Sequence, residues 1–168
     1  YKRQDGEIDV CLFNGAVRNS EQKEIAELLR RKSKVMVAFG ACACWGGIPA
    51  LANFHNRERI FERAYVEAPS NDNPGRIFPQ TKVEVPYGEV DLPEFFDTVL
   101  ALNQVVSVEY YVPGCPPPVD LILKFVELWV KGELPPAGTV LGSEKTLCDE
   151  CPRKKEEKRI TRIYRPFE

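Results

Sequence analysis

The start of the chain alternates between apolar runs and a segment with helical spacing. Residues 8–13 form a short apolar run that is typical of a buried strand. Either Asn19 or Ser20 can cap a following helix, and the residues up to about Ser33 place apolar side chains on one face, which predicts an amphipathic helix. Residues 34–39 form a second apolar run. A strand, a helix and a strand in this order predict a βαβ unit with parallel strands.

Similar patterns follow further along the chain. Residues 48–54 predict a short irregular or helical piece, and residues 57–66 have helical composition. An acidic capping residue and a proline in the first turn predict a largely buried helix over residues 91–102. Residues 105–112 are rich in β-branched and aromatic side chains and predict a strand. Residues 119–131 predict an apolar helix that a glycine stops. Together these elements predict an α/β fold with a mainly parallel sheet.

Residues 67–90 interrupt this pattern with prolines, glycines and asparagines. A loop of this length in a compact domain is usually a lid, a binding surface or a partner contact. A surface excursion without a role is the other interpretation, and the sequence leaves both open.

Bulk composition excludes several classes of protein. The 168 residues are 43% hydrophobic and 29% charged, with a formal net charge of -2, so neither disorder nor a nucleic-acid footprint is indicated. No run of about 18 apolar residues indicates a transmembrane segment, and the first residues lack an apolar signal region. The chain as given is predicted to be cytoplasmic.

Six cysteines without a secretory signal are more often metal ligands, catalytic thiols or buried residues than disulfides. Cys42 directly follows the strand of residues 34–39, and Cys115 directly follows the strand of residues 105–112. Because the carboxyl ends of parallel strands share one edge of a sheet, both cysteines are predicted to reach one site.

The loops around these two cysteines are suited to an iron-sulfur cluster. Gly40, Gly46 and Gly47 leave backbone N–H groups free to approach inorganic sulfide. The prolines after Cys115 stiffen its loop and remove competing donors. A 4Fe-4S cluster needs about four thiolates, and these loops offer two, or three if Cys44 also ligates.

The remaining candidates divide by context. Cys11 lies inside an apolar run and is predicted to be a core residue. Cys44 either points at the site or packs behind the loop, with the second interpretation favoured. Cys148 and Cys151 have the spacing of metal ligands, and the single histidine, His55, is predicted to lie on the surface.

Three ordered motifs resemble nickel-iron hydrogenase small subunits. Residues 40–48 (GACACWGGI) resemble the Gly-Ser/Thr-Cys-Ala-x-x-Gly-Gly motif that these subunits share with a cluster-bearing subunit of respiratory complex I. Residues 113–117 (PGCPP) resemble their second shared motif. Residues 148–153 (CDECPR) resemble the His-x-x-Cys-Pro-Arg segment of the hydrogenases, with cysteine in place of histidine.

The resemblance implies a role for each motif cysteine. Cys42 and Cys115 would hold the proximal 4Fe-4S cluster, and Cys148 and Cys151 would hold the distal cluster. The cytosolic methyl-viologen-reducing type, associated with heterodisulfide reductase, is the nearest match, followed by the sulfhydrogenase type. The family is flavodoxin-like with helices on both faces of the sheet. Residues 1–138 would form the proximal-cluster domain, and residues 139–168 would begin a C-terminal cluster-binding segment.

The implied function is electron transfer within a larger complex. Electrons from dihydrogen oxidation at a nickel-iron centre in a partner large subunit would pass through iron-sulfur clusters to a downstream subunit of the heterodisulfide reductase or flavoprotein type. The family has a preceding Cys-x-x-Cys segment and a following cysteine-rich region, which the chain lacks, so both ends look cut. Asn14 stands where a glutamate is common, so no proton-transfer role is assigned to it.

Three other interpretations compete with this one. A complex I-type quinone oxidoreductase subunit would share the first two motifs but make no use of Cys148 and Cys151. A zinc-binding structural domain would use those two cysteines together with Cys42 and Cys44. Flavin binding is weaker, because no loop in the sequence is typical of phosphate binding.

Overall fold

A computed structural model describes residues 4–143, 145, 147–152 and 162. In chain order, its strands and α-helices are β1 (Ile8–Asn14), β2 (Val17–Asn19), α1 (Ser20–Lys32), β3 (Ser33–Phe39), α2 (Ala41–Trp45), α3 (Arg57–Phe61), β4 (Lys82–Val85), β5 (Gly88–Asp91), β6 (Phe95–Leu100), β7 (Tyr110–Val112), α4 (Val119–Lys131), β8 (Thr139–Val140) and α5 (Leu147–Glu150).

A four-stranded sheet in the order β1-β3-β7-β8 forms the centre of the fold, and every neighbouring pair is parallel. The predicted βαβ unit is therefore confirmed, with β1 and β3 paired over their whole length. Phe39 at the end of β3 pairs with Asn14 of β1 on one side and with Val112 of β7 on the other. The carboxyl ends of three strands consequently meet at one edge.

Helices cover both faces of this sheet, as predicted for a flavodoxin-like α/β fold. On one face, Ala26 of α1 packs with Met36 and Ala38 of β3 in a buried cluster. On the other face, Phe125 of α4 packs with Val37 of β3 in a second cluster. Alternate β3 side chains thus enter opposite cores, as the pleat of a strand requires.

The helix boundaries follow local chemistry. The Asn19 side chain accepts a hydrogen bond from the Gln22 backbone N–H at 2.8 Å and caps α1. In a capping box, the Gln22 side chain would accept a hydrogen bond from the backbone N–H of Asn19. Here it accepts from the backbone N–H of the preceding residue, Arg18. Helix α4 ends at Gly132, which has the left-handed conformation with φ +70°.

The predicted helix over residues 91–102 is wrong. Residues 95–100 form β6, which pairs antiparallel with β2. The side chain of Asn53 accepts from the Val99 backbone N–H and donates to the Val99 carbonyl, at 2.7 and 3.0 Å, and so imitates a neighbouring strand. These tertiary partners override the helix-start signal, and the β-branched and aromatic residues of the segment suit a strand.

Other boundaries differ less. Only residues 110–112 of the predicted strand 105–112 form a β-strand. A turn and a bend at residues 105–106 follow the 3-10 helix of residues 102–104. Residues 48–54 form a 3-10 helix, as expected for a short helical piece. Residues 57–66 are helical, beginning with α3 and ending in a π-helical turn. The proline-rich stretch 67–90 contains β4 and most of β5, which pair as an antiparallel hairpin.

No helix in the described part of the chain combines the length and apolarity that crossing a membrane requires.

Candidate metal centre

Two cysteine loops lie side by side at the carboxyl edge of the sheet. The Gly40 backbone N–H donates to the Val112 carbonyl, and the Ala41 N–H donates to the Gly114 carbonyl, both at 2.8 Å. These bonds continue the β3–β7 ladder beyond the last paired residues. We call the two loops, residues 40–47 and 113–118, the cysteine rim.

The first rim loop depends on glycine to make room for its cysteine. Helix α2 is a single short turn between Gly40 and Gly46, which have φ angles of +88° and +84°. A Cβ atom on Gly47 would lie 2.8 Å from the Cys42 Sγ atom and 3.0 Å from the Cys42 Cα atom. Any larger residue at position 47 would therefore displace the thiol.

The second rim loop is equally tight. Gly114 has a φ of +132°, and a Cβ atom there would lie 2.5 Å from the Pro117 Cα atom and 2.7 Å from the Pro116 carbonyl oxygen. The Cys115–Pro116 peptide bond is cis. Cys115 is exposed and Cys42 is partly exposed, so both rim thiols are open to the surface.

Cys44 lies behind the rim and not on it. Its side chain is 1% exposed, and its Sγ atom donates a hydrogen bond to the Ala38 carbonyl at 3.3 Å. Burial raises the pKa of this thiol from its ordinary value of 9.0 to about 11. A neutral, inward-pointing thiol is a core residue, in agreement with the interpretation that the sequence favours.

Cys11 and His55 also lie where the sequence predicts them. Cys11 is half-buried and packs against the same core cluster as Met36 and Ala38. Burial raises its pKa, although a hydrogen bond with Ser33 acts in the opposite direction. His55 is exposed.

The second cysteine pair lies on a separate short element. Cys148 belongs to α5, Cys151 directly follows it, and both are exposed. The Ser143 hydroxyl donates to the Glu150 carboxylate at 3.1 Å and connects α5 to the segment that follows β8. Arg153 of the CDECPR motif lies outside the described residues. Metal binding by Cys148 and Cys151 stays a prediction.

The rim supplies part of a ligand set. Within the described ranges, no group of three or more histidine, cysteine, aspartate or glutamate side chains is placed to hold a metal ion. Cys42 and Cys115 fit an iron-sulfur cluster in kind, since both are accessible thiols in loops that glycine keeps open. They would provide two of the about four thiolates that such a cluster needs.

An exposed apolar surface adjoins the rim. In the 3-10 helix of residues 48–54, Ile48 and Phe54 are 71% and 82% exposed, and Leu51 is also exposed. Trp45, at the end of α2, is exposed as well. Residues three apart align along a 3-10 helix, so Ile48, Leu51 and Phe54 form one row. We call these four residues the apolar row. Sequence reasoning missed it, although the spacing of three was a usable signal.

A groove lies between the Cys115 loop, α4 and β8, and Trp45 of the apolar row also lines it. It has a volume of about 520 Å³. Its lining is mostly apolar and includes Trp45, Pro113, Leu121 and Leu141, with Asp120 and Lys124 as its charged side chains.

The family and fold follow from comparison with known proteins. The family described as "NADH ubiquinone oxidoreductase, 20 Kd subunit" matches residues 1–128. The chain belongs to this family. A solved structure titled as an NAD+-reducing [NiFe]-hydrogenase in the H2-reduced state matches with a TM-score of 0.67 and 34% identity, over 79% of this chain and 69% of that one.

Curated relatives are hydrogenase subunits. The chain is 44% identical over 160 residues to an iron-sulfur subunit of the F420-non-reducing hydrogenase of Archaeoglobus profundus, covering 95% of this chain and 50% of that one. It is 34% identical over 164 residues to the corresponding F420-non-reducing hydrogenase protein of Methanothermobacter marburgensis, covering 96% and 49%. The chain therefore spans about half the length of these relatives. The predicted likeness to hydrogenase small subunits, which are oxidoreductase subunits, is confirmed.

Proposed function

We propose that this chain is the electron-transfer (small) subunit of a nickel-iron hydrogenase. It relays electrons from dihydrogen oxidation at a partner large subunit, through iron-sulfur clusters, to a downstream acceptor. The observation that carries the proposal is the cysteine rim, where the Ala41–Gly114 hydrogen bond joins the loops of Cys42 and Cys115.

Cys42 and Cys115 are the proposed protein ligands of a proximal 4Fe-4S cluster. When bound, such a cluster supplies one-electron redox chemistry. The chain's own residues set the conditions for it. Gly47 keeps the space beside the Cys42 Sγ atom free, and the Ala41–Gly114 bond holds the two loops at a fixed separation. Pro116 and Pro117 carry no backbone N–H, so they leave the hydrogen bonding near Cys115 to other amides.

Cys148 and Cys151 are the proposed ligands of a distal cluster. Their exposure and their spacing on and beside α5 support this role, since both thiols are free of the core. This assignment makes residues 139–168 the beginning of a cluster-binding segment that follows residues 1–138. Its first two residues still form β8 of the central sheet, so the segment continues directly from the sheet domain.

The apolar row is the proposed contact with the large subunit that carries the nickel-iron centre. Four large apolar side chains exposed together are typical of a protein interface. The row begins inside the Cys42 loop at Trp45 and continues directly after it, so a subunit covering the row would also approach the proximal cluster. A downstream subunit of the heterodisulfide reductase or flavoprotein type would receive the electrons, and we place the complex in the cytoplasm.

Anaerobic purification of the native complex tests the proposal. Iron and acid-labile sulfide analysis should find both in stoichiometric amounts, and EPR of the reduced sample should show iron-sulfur signals. Stoichiometric zinc without an iron signal would refute the proposal.

The zinc-domain alternative gains no support from the geometry. It requires Cys44 as a ligand, and the Cys44 Sγ atom is buried and bonded to the Ala38 carbonyl. A complex I-type quinone oxidoreductase remains the second family-level candidate, and the curated hydrogenase relatives favour the first.

A further inference from the structure

The hairpin of β4 and β5 has little of the support that such an element normally needs. Its strands pair from Lys82–Asp91 to Val85–Gly88, and every one of its strand residues is exposed. Neither strand pairs with another sheet in the described part of the chain. An isolated two-stranded hairpin is marginally stable in water, so its open surfaces require an explanation.

One face of the hairpin is apolar. Val83 lies directly opposite Val90, and Val85 follows Val83 on the same face. All three valines are between 37% and 46% exposed. Tyr87, in the turn at the tip, is 99% exposed and extends the apolar surface.

The other face is acidic. Lys82 is its single cation, and its Nζ atom lies 3.0 Å from Glu89 and 3.9 Å from Asp91. Glu84 is directly opposite Glu89, and Glu84 has no cationic partner among the residues that the structure describes. Like charges directly opposite each other destabilise a strand pair. This face carries a net charge of -2, from three acids and one lysine, and is open to a basic partner.

The base of the hairpin meets the rest of the fold through an aromatic cluster. The Leu92 N–H donates to the Thr81 carbonyl at 2.9 Å and extends the ladder. Below it, the Phe61 ring lies 6.4 Å from the Phe78 ring and 5.1 Å from the Phe95 ring, measured between centroids. An element held this way at one end and open on both faces is a projecting arm.

The arm and the apolar row share one support. The Phe61 ring contacts both Phe78, which precedes the arm in sequence, and Phe95 of β6. The Asn53–Val99 hydrogen bonds attach the helix of the apolar row to the same strand. A partner subunit that covers the apolar row can therefore also contact the arm.

We infer that residues 82–91 are a docking arm for another subunit of the complex, one that presents basic side chains beside an apolar patch. The valine face supplies apolar contact, and the carboxylates of Glu84 and Glu89 supply the charge complementarity that fixes a basic partner. This inference rests on the proposed function only in assuming that the chain works within a hydrogenase complex.

Charge reversal separates docking from a purely structural role. In the chain alone, Glu84→Lys should protect the hairpin amides from hydrogen exchange more strongly, because the introduced lysine faces Glu89. In the assembled complex, the same variant should weaken subunit association about tenfold, and the loss should shrink at high salt. Glu24→Lys, an equal charge change at an exposed position on α1, is the matched control and should leave association unchanged.

Each outcome decides the inference. Weaker association in Glu84→Lys alone, together with protection of residues 82–91 on assembly of the wild-type complex, supports it. Equal association of both variants, tighter association in Glu84→Lys, or burial of the valine face in a dimer of this chain would overturn it. If the wild-type complex contains iron and its subunits, but Glu84→Lys does not change subunit association, only this inference is wrong. A wild-type chain with neither iron nor subunits defeats the proposed function too.

Discussion

Cys42 and Cys44 are two residues apart, yet they belong to different regions of the molecule. Cys42 lies on the cysteine rim with its Sγ atom beside Gly47. Cys44 lies in the core, and its Sγ atom donates a hydrogen bond to the Ala38 carbonyl. Since consecutive residues of an α-helix differ by about 100°, residues two apart point in nearly opposite directions. One short helix, α2, therefore separates a surface thiol from a structural one.

The same division holds for the other two cysteines near the sheet. Cys115 lies beyond the end of its strand and is exposed, whereas Cys11 lies within β1 and packs against the core. Exposure and loop position distinguish the rim thiols, and burial with a raised pKa distinguishes the core thiols. Thiol content alone does not define the site, because a ligand must also be accessible to the cluster.

Replacing a rim cysteine should have the largest effect. Cys115→Ser removes a proposed thiolate and should abolish the proximal-cluster EPR signal and lower the iron content of the complex. Cys11→Ser, the core control, should leave the signal intact. An unaltered spectrum in Cys115→Ser would contradict the assignment of this residue to the cluster.

A glycine substitution should disturb the rim without removing a ligand. The Cβ atom of Gly47→Ala would lie 2.8 Å from the Cys42 Sγ atom, so the thiol must shift and cluster occupancy should fall. Gly132→Ala is the control, because Gly132 also has a positive φ but no atom within 4 Å of the added Cβ. It should lose about 1 kcal/mol of unfolding free energy through backbone strain and keep full iron content. Equal iron content in both variants would show that Cys42 is not held in place by Gly47.

Much of the fold could be predicted because local and tertiary preferences agree in its centre. The runs at residues 8–13 and 34–39 are strands with a capped helix between them. The second is buried as predicted, whereas the first is only half-buried because β1 lies at the edge of the sheet. Residues 91–102 are the exception, since their capping residues are typical of a helix start. Their extended conformation depends on β2 and on the Asn53 side chain, which are distant in sequence. No local pattern reveals such partners.

The candidate site was predictable in outline and not in detail. Strand ends and glycines indicate the rim, because parallel strands must deliver their loops to one edge. The sequence leaves Cys44 ambiguous because a loop bracketed by glycines does not reveal α2, whose helical geometry places Cys44 opposite Cys42. The apolar row and the hairpin lie inside segments that look irregular in sequence. Their apolar residues do not recur at the spacing that is typical of a buried helix or strand.

Replacing the core cysteine beside the rim should affect stability and leave the cluster unchanged. Cys44→Ala removes a buried Sγ atom and its hydrogen bond to Ala38, which should lower the free energy of unfolding by about 1–2 kcal/mol. Urea denaturation under anaerobic conditions measures the loss, and EPR of the folded complex should remain as in the wild type. Loss of the signal would make Cys44 a ligand and remove the distinction between rim and core.

The smallest effect should come from Cys11, and it should depend on pH. Burial raises the pKa of this thiol, so the folded chain favours its neutral form more than the unfolded chain does. The stabilisation is fully present below the ordinary cysteine pKa of 9.0 and is lost as pH rises through the higher folded pKa. Urea midpoints of wild type and Cys11→Ala should therefore differ most near neutral pH and converge as the solution becomes more alkaline. A difference that stays constant to high pH would mean that Cys11 ionises as freely in the core as in water.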